Sequence, residues 1–488
     1  LVVGASLLFV GFVAPSANEL TYLVLLKRFA DPTYLGFDWT FGSGFDEFFL
    51  FTRLFSPLTR VFSLELLAWI GRVATWSAMA FGLLAIGRRL GARPIFSAIG
   101  LALWLGMNQS MGVGTTRIVA EFQASTVAYS FLIGGLALAL GQKVPWAMLF
   151  AGLAFAFHPG VGLWGSSFLV LVLLGLRDTR RQAFRYLWVP VVAALPGVIP
   201  QVMSLFRSGL TAGDANFIAL QRIPHHADPF SFGERGPILF VAMLAFNLLL
   251  HWRWRQQFAH RLLGLVQLLG LIPVVVGVVA RIVGLSSFLI LLPFRVLPAL
   301  VPALFFLNLA ALITSRNLRE LWPFAGNDPL RRWQGAVGLA AIAGTLVLWN
   351  PVIRFAGIVS ENAAAIAERD TDIESALQWT ATGTPTDAVV LSPPDRDDLF
   401  YLSQRAQYVS WEAIPYDRVS EWRRRLESVM PAGFFPVRRA GEWLDSYVAM
   451  PLEQLQALDP AVDYVITTAT YDLPIAYSSG EWIVYQVD

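Results

Sequence analysis

The sequence predicts a mostly α-helical, polytopic membrane bundle of about eleven transmembrane helices, followed by a small C-terminal α/β soluble domain. Three observations carry that expectation. Of 488 residues, 56% are hydrophobic and only 14% charged, where an ordinary soluble domain is about a quarter charged. Apolar runs recur through the first 355 residues, several of them near the about 20 residues that cross a hydrocarbon core. Charge also divides with position: residues 1–355 hold 27 Lys and Arg against 13 Asp and Glu, and residues 356–488 hold 9 against 21. The predicted domains are therefore a transmembrane part, 1–355, and an acidic tail, 356–488. A basic excess on a membrane domain belongs to its cytoplasmic loops and does not imply nucleic acid. With no cysteine, disulfides, thiolate metal sites and cysteine nucleophiles are excluded.

The apolar runs fall at 1–14, 62–86, 95–107, 124–141, 146–157, 160–176, 186–205, 237–252, 262–280, 285–313 and 335–353. The first has neither a basic leader nor a small-residue cleavage site, so it reads as the end of a helix whose start precedes residue 1. Five segments, 87–93, 142–143, 177–185, 252–261 and 315–332, are short and basic. Placed together on the cytoplasmic side, they leave every other loop outside with no error of parity. That arrangement requires 146–176 to be two short helices meeting at His158-Pro159-Gly160, a break tolerated where the freed backbone lines a cavity or packs on protein. The outside then receives 15–60, 108–123, 207–236 and the tail. In the tail, 373–382 and 418–429 read as helices and 388–392, 462–467 and 482–487 as strands, an α/β alternation. No GxGxxG or P-loop is present, which argues against a nucleotide site there.

Polar groups in the outer loops supply the candidate chemistry. Glu19 follows Pro15 where the first helix leaves the membrane, a depth at which an acid is costly unless paired or functional; it reads as a functional acid or as a helix cap. Asp38 carries the same two readings, and Asp46 and Glu47 read as solvated. Arg117 and Glu121, four residues apart, would share a face and pair on a helix, or Arg117 would grip a phosphate with its donor fork. His158 stands at the apex of two apolar helices, as a site residue or as a satisfied interfacial side chain. Arg222, His225, His226 and Asp228 lie between prolines. On an extended chain the two histidines would point to opposite sides, one of them serving phosphate binding or acid–base work. Arg295 lies inside an apolar run, which makes it a functional candidate unless it snorkels. The outer carboxylates offer oxygen ligands for a divalent ion such as Mg or Mn, with no spacing that fixes which residues would bind it.

These segments resemble the GT-C superfamily of integral-membrane glycosyltransferases, which use polyprenyl-phosphate-linked sugars. The resemblance rests on Asn18-Glu19-Leu20-Thr21-Tyr22, Asp31-Pro32-Thr33-Tyr34 and Asp38 after the first helix, on short broken helices and on a non-cytoplasmic C-terminal domain. A bacterial branch of such proteins is similar in 117–121, Phe157-His158-Pro159, 222–229 and 379–394. The resemblance covers most of the chain in layout but only short motifs. Many members carry two neighbouring acids in the first loop, whereas here Glu19 stands beside Asn18. The resemblance implies a multi-pass protein of the bacterial inner membrane. It would move a sugar from a polyprenyl-phosphate donor to a glycan, lipid or protein acceptor, with inversion. Glu19 or Asp38 would be the base, and Arg117, Glu121, His158, Arg222, His225, His226 and Arg295 would hold substrate. Two other classes fit the same features: a lipid or solute transporter, and a non-catalytic assembly subunit of an envelope machine.

Overall fold

The computed structural model describes residues 1–487 apart from 17, 42–47, 208, 315–341, 346–348, 368–370, 397, 432–433, 438–441 and 460. Asp46, Glu47, the basic segment 315–332 and most of the run 335–353 lie outside the described residues. Contacts divide the chain into two compact units: Leu1–Phe12, Ile70–Ile199 and Ala215–Ala365 in the first, and Val13–Trp69, Pro200–Asp214 and Ile366–Asp488 in the second. The second unit thus adds the first outer loop and a short stretch near residue 207 to the predicted tail.

Among the described residues, the regular elements of the first unit are all helices. Among the described residues, Leu64–Arg89, Arg235–Arg253, Phe258–Ile282 and Leu297–Thr314 are long and apolar enough to cross a membrane, and a fifth span results if Pro159–Gly175 and Arg177–Arg185, bent by 113°, count as one. The expected eleven treated every apolar run as a full crossing. Several runs instead fold as short apolar helices, Pro94–Gly106, Ala124–Leu140, Val144–Phe157 and Trp188–Met203. At 1.5 Å per residue, 13 residues rise only about 20 Å against a core of about 30 Å. The run 285–313 is likewise broken into Ser286–Leu289 and Leu297–Thr314.

Close packing in this unit relies on small residues, as expected where lipid supplies no hydrophobic drive between helices. Ala124–Leu140 and Val144–Phe157 form a helical hairpin. Val144–Phe157 then meets Trp188–Arg207 through glycines: a Cβ on Gly152 would lie 2.5 Å from the Pro190 carbonyl oxygen, and one on Gly197 1.9 Å from that of Ala156. Between Arg235–Arg253, Phe258–Ile282 and Leu297–Thr314 runs a buried amide seam. Asn247 Nδ2 donates to Gln267 Oε1 at 3.1 Å and to the Val301 carbonyl at 2.9 Å, and Asn308 Nδ2 donates to Asn247 Oδ1 at 2.9 Å.

Some of the basic segments meet one another or the ends of neighbouring helices. Arg261 pairs with Asp178 at 2.7 Å, joining 252–261 to 177–185. A Cβ on Gly141 would lie 3.2 Å from Arg89 Nη2, and the Arg93 amide donates to Thr314 Oγ1 at 3.1 Å. These contacts join 252–261 to 177–185 and set 87–93 beside residue 141 and the end of Leu297–Thr314. Residues assigned to the opposite side also meet: Arg281 pairs with Asp228 at 2.9 Å, and Ser286 Oγ donates to Asn216 at 3.0 Å.

The second unit holds a five-stranded sheet: β1 (Val389–Leu391), β2 (Ala406–Gln407), β3 (Tyr464–Thr467), β4 (Ile475–Ser479) and β5 (Trp482–Gln486), in the order β2-β1-β3-β5-β4. β1 is parallel to β2 and β3, while β5 is antiparallel to β3 and β4. Helix Thr371–Gly383 covers it, burying Ile373, Ala376 and Leu377 against Val390, Ile466, Trp482 and Val484. Three predicted strands and both predicted helices appear within a residue or two of their expected bounds. The two-residue β2 and the partly exposed β4 gave no buried apolar run to find.

Replacing the seam's central amide, Asn247→Leu, leaves Asn308 and Gln267 without their partner. A buried unsatisfied group costs about 1–3 kcal/mol, so thermal unfolding of the purified protein in detergent falls by several degrees; unchanged unfolding would show that the seam contributes nothing.

Candidate functional site

Nine residues were nominated by the sequence, and they divide between the units. Glu19 and Asp38 belong to the second unit, and Arg117, Glu121, His158, Arg222, His225, His226 and Arg295 to the first.

The acids of the second unit have local partners. Glu19 is fully buried in the first turn of Asn18–Ala30, and its Oε2 accepts the Ser16 amide at 3.2 Å. Ser16 and Glu19 stand in the S-x-x-E register in which a glutamate reaches back to an orphan amide at a helix start. Asp38 is also buried. Its Oδ1 accepts the Thr40 and Phe41 amides at 2.8 and 3.2 Å, and its Oδ2 accepts the Gln407 amide at 2.9 Å. β2 is an edge strand, whose unpaired amides need covering. The Asp38 carboxylate does this at Gln407, while Trp39 Nε1 donates to the Tyr408 carbonyl at 2.9 Å beneath the Arg425 guanidinium, 4.0 Å from the Trp39 ring centroid.

In the first unit a cationic cluster forms around two breaks in the helices. Arg295 sits in the turn that precedes Leu297–Thr314, not within a span, and is half-buried. Its backbone carbonyl accepts the Tyr129 hydroxyl at 3.1 Å, and its Nε is buried with no hydrogen-bond partner. The Arg295 charge acts on His158, His226 and Tyr129, and His226 also acts on His158. His158 is buried where Val144–Phe157 ends and Pro159–Val161 begins. Its Nδ1 accepts the Val161 amide at 3.3 Å, so a neutral ring carries its proton on Nε2.

The histidine loop departs from the extended form expected of it. Pro224–Ala227 is a helical turn, with the His225 and His226 ring centroids 4.2 Å apart rather than on opposite sides. His226 Nδ1 lies 2.6 Å from the Gly114 carbonyl oxygen and 3.2 Å from Thr115 Oγ1. A carbonyl can only accept, so Nδ1 carries the proton and Nε2 keeps its lone pair. Burial, followed by the neighbouring charges of His225 and Arg295, holds the His226 imidazole well below the usual histidine range. His225 is exposed and Arg222 buried, the latter acting on His226 by charge. Asp228 does not neutralise this group, being engaged by Arg281.

Arg117 and Glu121 do not form the expected helical pair. Residues 112–123 are irregular, held by Gln109, whose Oε1 accepts the Ile118 and Val119 amides at 2.6 and 2.8 Å. Arg117 is exposed with its guanidinium 5.6 Å from the Phe9 ring centroid, and Glu121 is buried. Gln109, Thr115 and Tyr129 are the contributors that pattern reading missed. The only signal for Gln109 and Thr115 was their place in an outer loop, and Tyr129 gave none inside its apolar run. Among the described residues no three His, Cys, Asp or Glu side chains gather as metal ligands.

A domain of unknown function, DUF6798, matches residues 371–429 of the second unit. Among curated proteins none matches the chain.

Burial raises the Asp38 carboxyl to about 6 against the opposing pull of its amide partners. The folded protein therefore keeps this proton at pH values where the unfolded chain, titrating near 4, has lost it. The associated stability, up to about 3 kcal/mol, is present below about pH 4 and is lost as pH rises through about 6. Unfolding of the native chain and of Asp38→Asn compared across this window should show the native chain losing relative stability, with a constant difference above it. A difference that stays flat from acid to neutral pH would contradict the assignment.

Proposed function

We propose that the chain is a membrane glycosyltransferase that takes a sugar from a polyprenyl-phosphate-linked donor, with the phosphate held by the Arg295 cluster of the first unit. The observation that carries this reading is a guanidinium with a buried, unpartnered Nε beside two histidines of complementary tautomer. A helical unit able to cross a membrane favours a lipid-linked ligand, and a cation there calls for an anion. Tyr129 and Val296 extend from the cluster into a wholly apolar crevice that includes Ile118 and Leu300. It measures about 20 Å³, so an isoprenoid chain would enter only by displacing these side chains.

The chemistry follows from charge. An acceptor hydroxyl attacks the anomeric carbon, the bond from that carbon to the phosphate oxygen breaks, and the lipid phosphate leaves with the electron pair. The phosphate gains a full negative charge in this step, so a fixed cation stabilises the transition state more than the bound donor. Arg295 supplies that cation, and His158 donates a hydrogen bond from Nε2–H to a phosphate oxygen without giving up the proton. His226 Nε2 accepts the proton of the attacking hydroxyl, its ring held by the Gly114 carbonyl. Glu19 or Asp38 is the base that the resemblance to GT-C enzymes nominates instead. Whichever of His226→Ala and Glu19→Gln abolishes transfer while keeping donor binding identifies the base. Inversion, an extracytoplasmic tail and a bacterial inner-membrane location belong to the same proposal.

The test is transfer in proteoliposomes containing undecaprenyl-phosphate-linked radiolabelled hexose or pentose, scoring both sugar release to water and transfer to added glycan. Arg295→Gln is expected to lower the rate by about a hundredfold. The rate should stay flat from about pH 8 to about 6.5 and fall only below the ordinary histidine range, because the His226 base form persists there. Donor movement across the bilayer without cleavage of the sugar–phosphate bond would favour a transporter, and full activity of Arg295→Gln would end the reading.

A further inference from the structure

A second site lies within the second unit, separate from the cationic cluster. It is a cleft of about 360 Å³ whose walls include Lys27, Tyr34, Glu65, Gln378, Tyr401 and Gln404. That volume is within the about 300–1,000 Å³ of small-molecule sites. Its chemistry is mixed in an ordered way. The Lys27 ammonium lies 4.3 Å from the Tyr34 ring centroid, so its charge meets a ring face. Across the cleft the Tyr401 hydroxyl donates to the Glu65 carboxylate. The Gln378 and Gln404 amides are exposed at the rim.

Gln404 supplies a second observation. Its φ is +49°, the left-handed region, at the end of helix Leu399–Ser403. Glycine or asparagine is the usual choice there. A glutamine in that conformation is strained, and strain of this kind concentrates at ligand sites. The only other left-handed non-glycine residue among the described residues of this unit is Leu35, next to Tyr34. The segment that matches DUF6798 contributes Gln378, Tyr401 and Gln404, one wall of the cleft.

We infer that this cleft binds an acidic saccharide of one or two sugar units. With the Tyr34 face covered by Lys27, the half-buried Tyr401 ring is the aromatic surface that would receive the apolar face of a pyranose ring. Glutamate and glutamine side chains offer the paired acceptors and donors that neighbouring hydroxyls require. The one ammonium selects a carboxylate on the sugar. The inference does not depend on the glycosyltransferase reading: it concerns another unit, and either can fail alone.

The experiment is calorimetric titration of the purified full chain in detergent with digalacturonate, with maltose as the neutral analogue and sulfate as charge without hydroxyls. Digalacturonate should bind at least tenfold more tightly than either, and Lys27→Gln should remove its advantage over maltose. Gln404→Gly relieves the backbone and deletes an amide, so it should raise the unfolding temperature while weakening digalacturonate. That combination separates a binding role from misfolding. Equal binding of sulfate and digalacturonate, no binding of digalacturonate, or an undiminished advantage in Lys27→Gln would each overturn the proposal.

Discussion

A guanidinium in an apolar helical unit is costly to hold unless something compensates its charge, and among the described residues Arg295 forms no ion pair with a carboxylate. Asp228, the acid of the neighbouring loop, is taken by Arg281 at 2.9 Å. The Arg295 Nε is buried without a hydrogen bond. Burial, with the charges of His225, Arg295 and Arg222, disfavours protonation of His226, so the cluster holds permanent guanidinium charge beside a neutral imidazole. That division permits two jobs at once, binding an anion and accepting a proton, which two protonated histidines would not.

Helix breaks create the arrangement. A continuous helix through 144–175 would carry His158 on its flank with its backbone amides internally paired. Ending the first helix at Phe157 lets His158 accept the Val161 amide and fixes its tautomer. Breaking 285–313 before Leu297 puts Arg295 in a turn, where Tyr129 can hold its carbonyl. The turn at Pro224–Ala227 brings His226 onto the Gly114 carbonyl. In the second unit the acids are spent on the backbone: Glu19 on the start of its helix and Asp38 on the edge of the sheet.

Much of this was legible in the sequence, and the failures have physical causes. Charge is a property of short local stretches, and two of the basic loops, 177–185 and 252–261, meet through Arg261–Asp178. The strand around Val390 and the helix before it were visible as apolar patterns. The span count was not, since hydropathy reports apolar length and not whether a run folds as one helix: 285–313 looks continuous and is broken. Arg117 and Glu121 have helical spacing, but Gln109 ties their backbone into an irregular loop. His158 and Arg295 could be nominated singly, each being an expensive group in an apolar setting. Their proximity depends on tertiary packing, which no local pattern records, and Tyr129 was invisible inside an apolar run.

The most direct measurement is the affinity of the detergent-purified chain for farnesyl phosphate and for farnesol, with and without Arg295→Gln. The phosphate should bind at least tenfold more tightly than the alcohol, and the substitution should erase the difference. Equal affinities in the native chain, or a phosphate preference that survives in Arg295→Gln, would contradict this expectation.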